Sequence, residues 1–126
     1  MGYHVVDPQE LDPIPDRPCE LRRVSEAAGL SRMAVNRFTA DPGEQIPLAY
    51  HYHDEQEELF VVLAGTLHVE TPERTYEVPE GCFFAVEPGS PQRAFNPAEA
   101  AETVTVVAVG APAVSGDVHA YDPNDS

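Results

Sequence analysis

The chain has 126 residues, of which 22 are acidic and 7 basic, and its formal net charge is −15. A single domain of this length buries about two-thirds of its chain surface, so it needs no disulfide or metal merely to fold. All seven basic residues are arginines, scattered along the sequence. Nucleic acids and anionic membranes require clustered basic residues, so neither is expected as a partner.

The sequence contains no apolar run long enough for a membrane span, and its first residues lack the layout of a signal peptide. We therefore expect a cytoplasmic protein in which Cys19 and Cys82 are reduced thiols without an assigned role. The acidic excess without lysine resembles the adaptation of cytoplasmic proteins from salt-accumulating halophiles, in which concentrated KCl screens repulsion between like charges.

Taken in chain order, the sequence begins with a proline-rich stretch and continues as short β-type segments. Residues 1–18 contain four prolines among acidic residues, which predicts an extended arm on the surface or against a partner subunit. Nine segments rich in β-branched and aromatic residues follow, separated by Gly, Pro and Asp, which predicts an all-β barrel or sandwich with low helix content. These segments are CELRRV, RMAVNRFTA, IPLAYHYH, ELFVVLA, TLHVET, RTYEVP, CFFAVE, QRAFN and TVTVVAVGA.

One helical turn is expected, at residues 25–29, with Ser25 as its cap and Gly29 as its stop. The barrel should comprise residues 19–110. Residues 111–126 are predicted to be an irregular tail, in which disorder is favoured over a fold of His119 and Tyr121 across the barrel mouth.

His51 and His53 are the residues whose type and spacing point to chemistry. On a β-strand, side chains two residues apart lie on the same face, so the two imidazoles should be adjacent while Tyr52 points away. Glu58 could add a carboxylate and complete a two-histidine, one-carboxylate metal site with open positions. The neighbouring carboxylates of Asp54, Glu55 and Glu57 are the competing candidates.

Two motifs resemble those of the cupin family. HYHDEQEELFVVLAG, residues 51–65, matches H-x-H-x3,4-E-x6-G, although seven rather than five residues separate Gly43 from His51. GCFFAVEPGSPQRAFN, residues 81–96, matches G-x5-P-x-G-x2-H-x3-N except at Glu87 and Gln92, which replace the proline and the histidine. The resemblance implies a cupin double-stranded β-helix, a jelly-roll-like barrel, and commonly a homodimer built by exchange of N-terminal strands.

The resemblance also implies one divalent transition metal, such as Fe, Mn, Ni or Zn, whose ligands would be His51, His53, Glu58 and Gln92. An amide oxygen is a neutral, weaker donor than imidazole, so Gln92 should reduce the affinity for the metal. Gln92 is then either a weak fourth ligand or a hydrogen-bonding neighbour, or the site has decayed. Restoring histidine at this position should tighten binding.

Two main functions remain open from the sequence, beside a third, weaker possibility that the barrel is chiefly an assembly unit. One is a metal-containing cupin that binds, and in an enzyme form transforms, a small organic molecule as a dioxygenase or isomerase would. The other is a non-catalytic sensor or ligand-binding barrel in which Gln92 marks a weakened metal site.

The remaining polar residues have weaker functional interpretations. His68 should lie on the solvent face of its strand, and His4 in the arm, so neither is expected to act in the site. An inward-facing Arg37, Arg93 or Asn36 could contact a ligand, although a surface ion pair is the default for an arginine in so acidic a chain.

Overall fold

The fold is described by a computed structural model that covers residues 1–114 and 116–124. Within these residues the regular structure consists of ten strands, one short helix, α1 (Val24–Ala27), and a 3₁₀ turn at Pro8–Glu10. The strands are β1 (Glu20–Arg23), β2 (Ala34–Ala40), β3 (His51–His53), β4 (Glu57–Ala64), β5 (Thr66–Glu70), β6 (Thr75–Pro79), β7 (Phe83–Val86), β8 (Arg93–Phe95), β9 (Val104–Ala111) and β10 (Val118–Ala120). The predicted all-β class with low helix content is confirmed.

All strand pairs are antiparallel and form three sheets. The large sheet has the order β1-β2-β9-β4-β7, a second has β6-β5-β8, and β3 and β10 form a third. Single bridges from Gln45 to Phe95 and from His51 to Gln92 join the β3 region to β8. These bridges bring the histidine strand beside the end of the three-stranded sheet.

Alternation along the strands places one apolar face of each main sheet in a common core. Phe38 of β2 and Phe60 and Val62 of β4 come from the large sheet, and Leu67 and Val69 come from β5. Each of the five is at most 7% exposed. At about 25 cal/mol per Å² of apolar surface, burial of this cluster is the main stabilising contribution to the barrel.

Two motif residues have structural roles in the barrel. Gly65 turns the chain between β4 and β5 with φ of +75°, and a Cβ there would lie 2.6 Å from the Thr103 carbonyl oxygen, so only glycine fits. Asn96 is 2% exposed, and its side-chain amide donates to the carbonyl oxygens of Ala40 and Glu102 at 3.0 and 2.8 Å.

The N-terminal arm lies on the chain's own barrel. The Ile14 amide donates to the Leu21 carbonyl at 2.9 Å, and the Ile14 side chain packs against the core. The Arg22 guanidinium donates to backbone carbonyls of the arm, among them that of Leu11. These contacts attach residues 8–14 to β1.

Two local expectations are corrected. Ser25 is not the cap of α1, because the helix begins at Val24 after Arg23; Gly29 does end it, with φ of +72°. The tail after Gly110 is not wholly irregular, because β9 runs to Ala111 and Val118–Ala120 pairs with β3 in β10. A three-residue strand has too short a pattern to be recognised, and β3 supplies its free edge as the partner. Residues 115, 125 and 126 of the predicted tail lie outside the described residues.

Candidate metal and ligand site

Strand β3 presents two imidazoles to the barrel interior. His51 and His53 lie on one face, and their ring centroids are 5.0 Å apart. Tyr52, on the opposite face, stacks on His119 of β10 at a centroid distance of 5.2 Å. The period of two residues along a strand therefore gives the predicted pair of neighbouring histidines.

Glu58, near the start of β4, brings a carboxylate to the same point. Its Oε1 lies 3.0 Å from His53 Nε2 and 3.8 Å from His51 Nε2. Glu58 shares the inward face of β4 with Phe60, whereas Glu57 is exposed on the other face. The competing carboxylate of Asp54 instead contacts His119 Nε2 at 2.6 Å, at the surface. Glu58 is thus the carboxylate of this acidic run that joins the histidines.

Gln92 lies beside these three residues and is only 2% exposed. Its backbone exchanges hydrogen bonds with His51, at 2.9 and 3.3 Å, and its side-chain Nε2 donates to Glu58 Oε1 at 3.4 Å. Its Oε1 is buried and has no hydrogen-bond partner among the described residues. An unpaired buried acceptor is unfavourable by about 1–3 kcal/mol, so a cation at this position would satisfy it.

The electrostatics of the site favour a positive charge between the histidines and Glu58. Burial of Glu58 opposes its ionisation, but the adjacent imidazoles of His51 and His53 outweigh this and lower the pKa of Glu58 to about 2. The hydrogen bond to Glu58 raises the pKa of His53, against the opposing effect of burial. A carboxylate that stays ionised when buried attracts either a proton on His53 or a metal ion.

Acceptors beside the two Nδ1 atoms orient the histidine rings so that both Nε2 atoms face Glu58. His51 Nδ1 lies 2.9 Å from the Ala49 carbonyl oxygen, which only accepts, so Nδ1 carries the proton and Nε2 offers its lone pair. His53 Nδ1 lies 3.5 Å from Asp117 Oδ2, an electrostatic contact rather than a short hydrogen bond. A carbonyl or carboxylate beside the far nitrogen is the usual environment of a metal-binding histidine.

The donor set fits a divalent metal ion. One donor atom from each of His51, His53 and Glu58 lies within 4.8 Å of the others. Nitrogen and oxygen ligands bind zinc at about 2.0–2.2 Å, which places neighbouring ligand atoms about 3–3.6 Å apart. The observed 3.0 and 3.8 Å are close to this spacing, so the cluster could hold a metal after small side-chain movements.

Asp117 is a site residue that the sequence analysis missed. It is 8% exposed, and its carboxylate accepts hydrogen bonds from the backbone amides of Asp54, Glu55 and Gln56 at 2.9, 2.9 and 3.0 Å. Burial opposes its ionisation, but these donors prevail and hold the pKa of Asp117 below its usual value. Asp117 lies in the tail, more than sixty positions from the loop it fixes, so no local signal could identify it.

A cavity of about 490 Å³ opens onto the candidate metal site. Its polar lining includes His51, His53, Glu58, Gln92, Gln56, Asn36 and Arg17, and its apolar lining includes Phe38, Ile46, Leu48, Phe60 and Val118. Apolar walls with a few convergent polar groups are typical of sites for small organic molecules. Arg17 comes from the predicted arm and was not among the sequence candidates.

The other sequence candidates lie outside this cavity, apart from Asn36. Arg93 donates to Glu70 at 2.9 Å, and Arg37, between the cavity-lining Asn36 and Phe38, faces the other side of the large sheet. His68 is half-buried on the outer side of β5 and pairs with Glu77 at 3.2 Å. His4 is exposed in the arm.

The fold and the histidine–glutamate cluster define a cupin. The sequence model of the Cupin_2 family, described as Cupin domain, matches residues 36–109, and the chain belongs to this family. Among curated proteins, none matches the sequence. No helix within the described residues has both the length and the apolar character needed to cross a bilayer.

Solved structures of the same fold are similar at low sequence identity. A sugar phosphate isomerase from Silicibacter pomeroyi is 24% identical with a TM-score of 0.74, and the match covers 86% of this chain and 75% of that one. The polyketide cyclase RemF from Streptomyces resistomycificus is 21% identical, with a TM-score of 0.78 and coverages of 95% and 86%. A cupin protein from Bacteroides fragilis is 14% identical, with a TM-score of 0.71 and coverages of 100% and 96%. At these identities the likeness establishes the fold alone.

Proposed function

We propose that this cupin binds a small organic molecule in its barrel cavity at a divalent metal ion held by His51, His53 and Glu58. The observation that carries the proposal is the convergence of the two Nε2 atoms on Glu58 Oε1, at 3.8 and 3.0 Å, at the wall of the cavity. In this arrangement the Gln92 side-chain amide, whose Nε2 faces Glu58 in the metal-free protein, turns over so that Oε1, which has no partner among the described residues, becomes a weak fourth ligand.

The metal, when bound, would act as a Lewis acid toward an oxygen atom of the ligand. The protein itself would orient and desolvate that ligand. Phe38, Ile46 and Phe60 supply apolar walls, and Asn36 and Gln56 supply amide groups beside them. Two proteins of similar structure are named a sugar phosphate isomerase and a polyketide cyclase, which supports an organic molecule as the ligand of this cavity.

Catalysis is not included in the leading proposal. An isomerase or dioxygenase of this type needs a group that transfers protons. Within the described part of the chain, the titratable residues that line the cavity are Arg17 and the three proposed metal ligands. A carboxylate with a pKa of about 2, such as Glu58, is a poor general base.

A second candidate function is ligand binding without a resident metal. One observation favours it: Gln92 directs its Nε2, a donor, toward Glu58, and its amide oxygen elsewhere. In that case the Gln92 amide and the histidines would bind the ligand directly by hydrogen bonds. The two candidates differ in whether the ligand requires a metal.

Elemental analysis of protein purified without chelator, before and after reconstitution with Mn, Fe, Ni or Zn, tests the leading proposal. We expect close to one equivalent of one metal, because three ligands are sufficient for a divalent site. His51→Ala and His53→Ala should each lower the metal content, whereas His68→Ala, which removes a histidine from the outer side of β5, should not. Less than about a tenth of an equivalent after reconstitution would favour the metal-free candidate instead.

A further inference from the structure

Arg17 is a partly buried cation at the cavity wall, and the described residues offer it no protein partner. Its Nε is fully shielded from solvent and forms no hydrogen bond within residues 1–114 and 116–124. No carboxylate in that part of the chain lies within 4 Å of its guanidinium, whereas Arg22 and Arg93 pair with Glu20 and Glu70 at 2.9 Å. Arg37 Nε is also shielded and without a hydrogen bond in that part of the chain, but Arg37 does not line the cavity, so Arg17 is the arginine whose unpaired Nε belongs to the cavity wall.

The lack of a protein partner for Arg17 is energetically unfavourable, although the chain has 22 acidic residues that could have paired with it. The shielded Nε–H of Arg17 has lost its hydration and has no acceptor in return. Arg17 is not paired with any of the described carboxylates and instead lines the cavity that contains His51, His53 and Glu58. A ligand in the cavity is the acceptor that would complete its hydrogen bonding.

The charge of the ligand follows from the charges around the cavity. A net charge of −15 repels anions in general, so an anion would enter only where a local cation attracts it. Arg17 is the single arginine of the cavity lining within the described residues. Its planar guanidinium matches the two oxygens of a carboxylate or phosphate.

We propose that Arg17 binds an anionic group, a carboxylate or a phosphate, of the small molecule that occupies the cavity. The proposal rests on the proposed function for the identity of the cavity as the ligand site, but Arg17 itself needs no metal for this contact. Asn36, which lines the same cavity, provides an amide that reports on its occupancy. The ligand is thus an organic acid or a phosphate ester rather than a neutral molecule.

Proton–nitrogen correlation NMR on metal-free protein tests this inference. The probes are acetate, inorganic phosphate and acetamide, a neutral molecule of the same size as acetate, added at fixed ionic strength. We expect saturable shifts of the Arg17 Nε–H and Asn36 side-chain signals with at least one anion and none with acetamide. Arg17→Gln should weaken that binding about tenfold or more, as loss of a charge-assisted hydrogen bond does.

Arg74→Gln is the matched control, because Arg74 is exposed in the turn between β5 and β6 and its loss changes the net charge equally. Equal shifts from acetamide, no shift from either anion, or unchanged affinity in Arg17→Gln would each overturn the inference. The wild-type comparison of acetate with acetamide stays decisive even if Arg17→Gln unfolds. A protein that binds the anion but no metal would refute the proposed metal site and leave the role of Arg17 intact.

Discussion

Gln92 is the residue on which the strength of the candidate metal site depends. It is buried beside Glu58, and its backbone pairs with that of His51. Its side chain therefore reaches the same point as the histidines, but it offers an amide where the related motif has an imidazole. The position is correct for a ligand, and the donor is weak.

Gln92→His should raise the affinity for Ni or Zn by at least about tenfold, because imidazole is a stronger donor than an amide oxygen. Competition with a chromophoric chelator measures the change. Gln9→His, which adds a histidine in the arm, is the control and should have no effect. An affinity that stays the same or falls in Gln92→His would show that position 92 does not reach the metal.

Glu58 should make the stability of the metal-free protein depend on pH. Its pKa falls from 4.5 to about 2 on folding, so its contribution is present above pH 4.5 and is lost as the pH falls toward 2. The pKa of His53 is raised above 6.5, so its contribution is present below pH 6.5 and is lost as the pH rises through the higher folded value. The pair therefore stabilises most between about pH 4.5 and 6.5.

Urea unfolding of metal-free wild type and Glu58→Gln at three pH values tests this dependence. Near pH 5.5 the variant should be less stable by ~2–3 kcal/mol, and the difference should shrink at pH 2.5 and at pH 9. Glu57→Gln, which removes the exposed neighbour, should show no such maximum. A difference that does not vary with pH would contradict the ion pairing of Glu58 with His53.

At the scale of elements, β10 and the residue before it hold β3, the strand of the histidine pair, in place. Val118–Ala120 pairs with His51–His53, and Asp117 fixes the turn from β3 into β4 by three backbone hydrogen bonds. The same carboxylate lies 3.5 Å from His53 Nδ1. The C-terminal segment thus sets both the backbone and the ring orientation at the site.

Asp117→Asn should lower metal affinity about 10- to 100-fold, the usual effect of removing a group that orients a metal-binding histidine. The substitution leaves one side-chain oxygen where two now accept hydrogen bonds from the three backbone amides. It also removes the negative charge beside His53. Chelator competition gives the affinity, and nitrogen shifts of the His53 ring report its orientation. Asp122→Asn, five positions after Asp117 in the same tail, is the control. Equal losses in the two variants would contradict a positioning role for Asp117.

At the scale of the whole molecule, the net charge predicts a requirement for salt. Repulsion among charges that sum to −15 opposes compaction, and 1 M KCl reduces the Debye length to about 3 Å. Halophilic adaptation therefore stays a prediction with a direct test. Dialysis into low salt should unfold the protein, as followed by circular dichroism, whereas an unchanged spectrum at a few tens of millimolar KCl would refute it.

A homodimer also stays a prediction, and the first residues are the segment to test. Tyr3 and Val5 are 85% and 101% exposed, whereas Ile14 packs on the chain's own core. We expect light scattering to give about twice 13.7 kDa for the full chain and a monomer mass after deletion of residues 1–6. Circular dichroism should be unchanged, and a full-length mass near 13.7 kDa would contradict the dimer.

Strand positions, the barrel class and the cluster of His51, His53, Glu58 and Gln92 were accessible from the sequence. Their signals are local: alternation places side chains two apart on one face, and motif spacing places the turns between strands. The same alternation cannot say which face is inward, so the sequence left the cavity lining undefined. Asn36 and Arg37, for example, are adjacent in sequence and lie on opposite faces of the large sheet, and only the structure shows that Asn36 faces the cavity.

Asp117 and Arg17 are residues that only the tertiary structure places at the site. Asp117 contacts residues 54–56 across more than sixty positions, and Arg17 reaches the cavity from an arm that the sequence predicts at the surface. Such contacts depend on the closure of long loops around a common core, and no short pattern encodes them. Local periodicity thus predicted the histidine pair, the resemblance to the cupin motifs implied Glu58 and Gln92 beside it, and long-range packing supplied the residues that orient the histidines and that face the ligand.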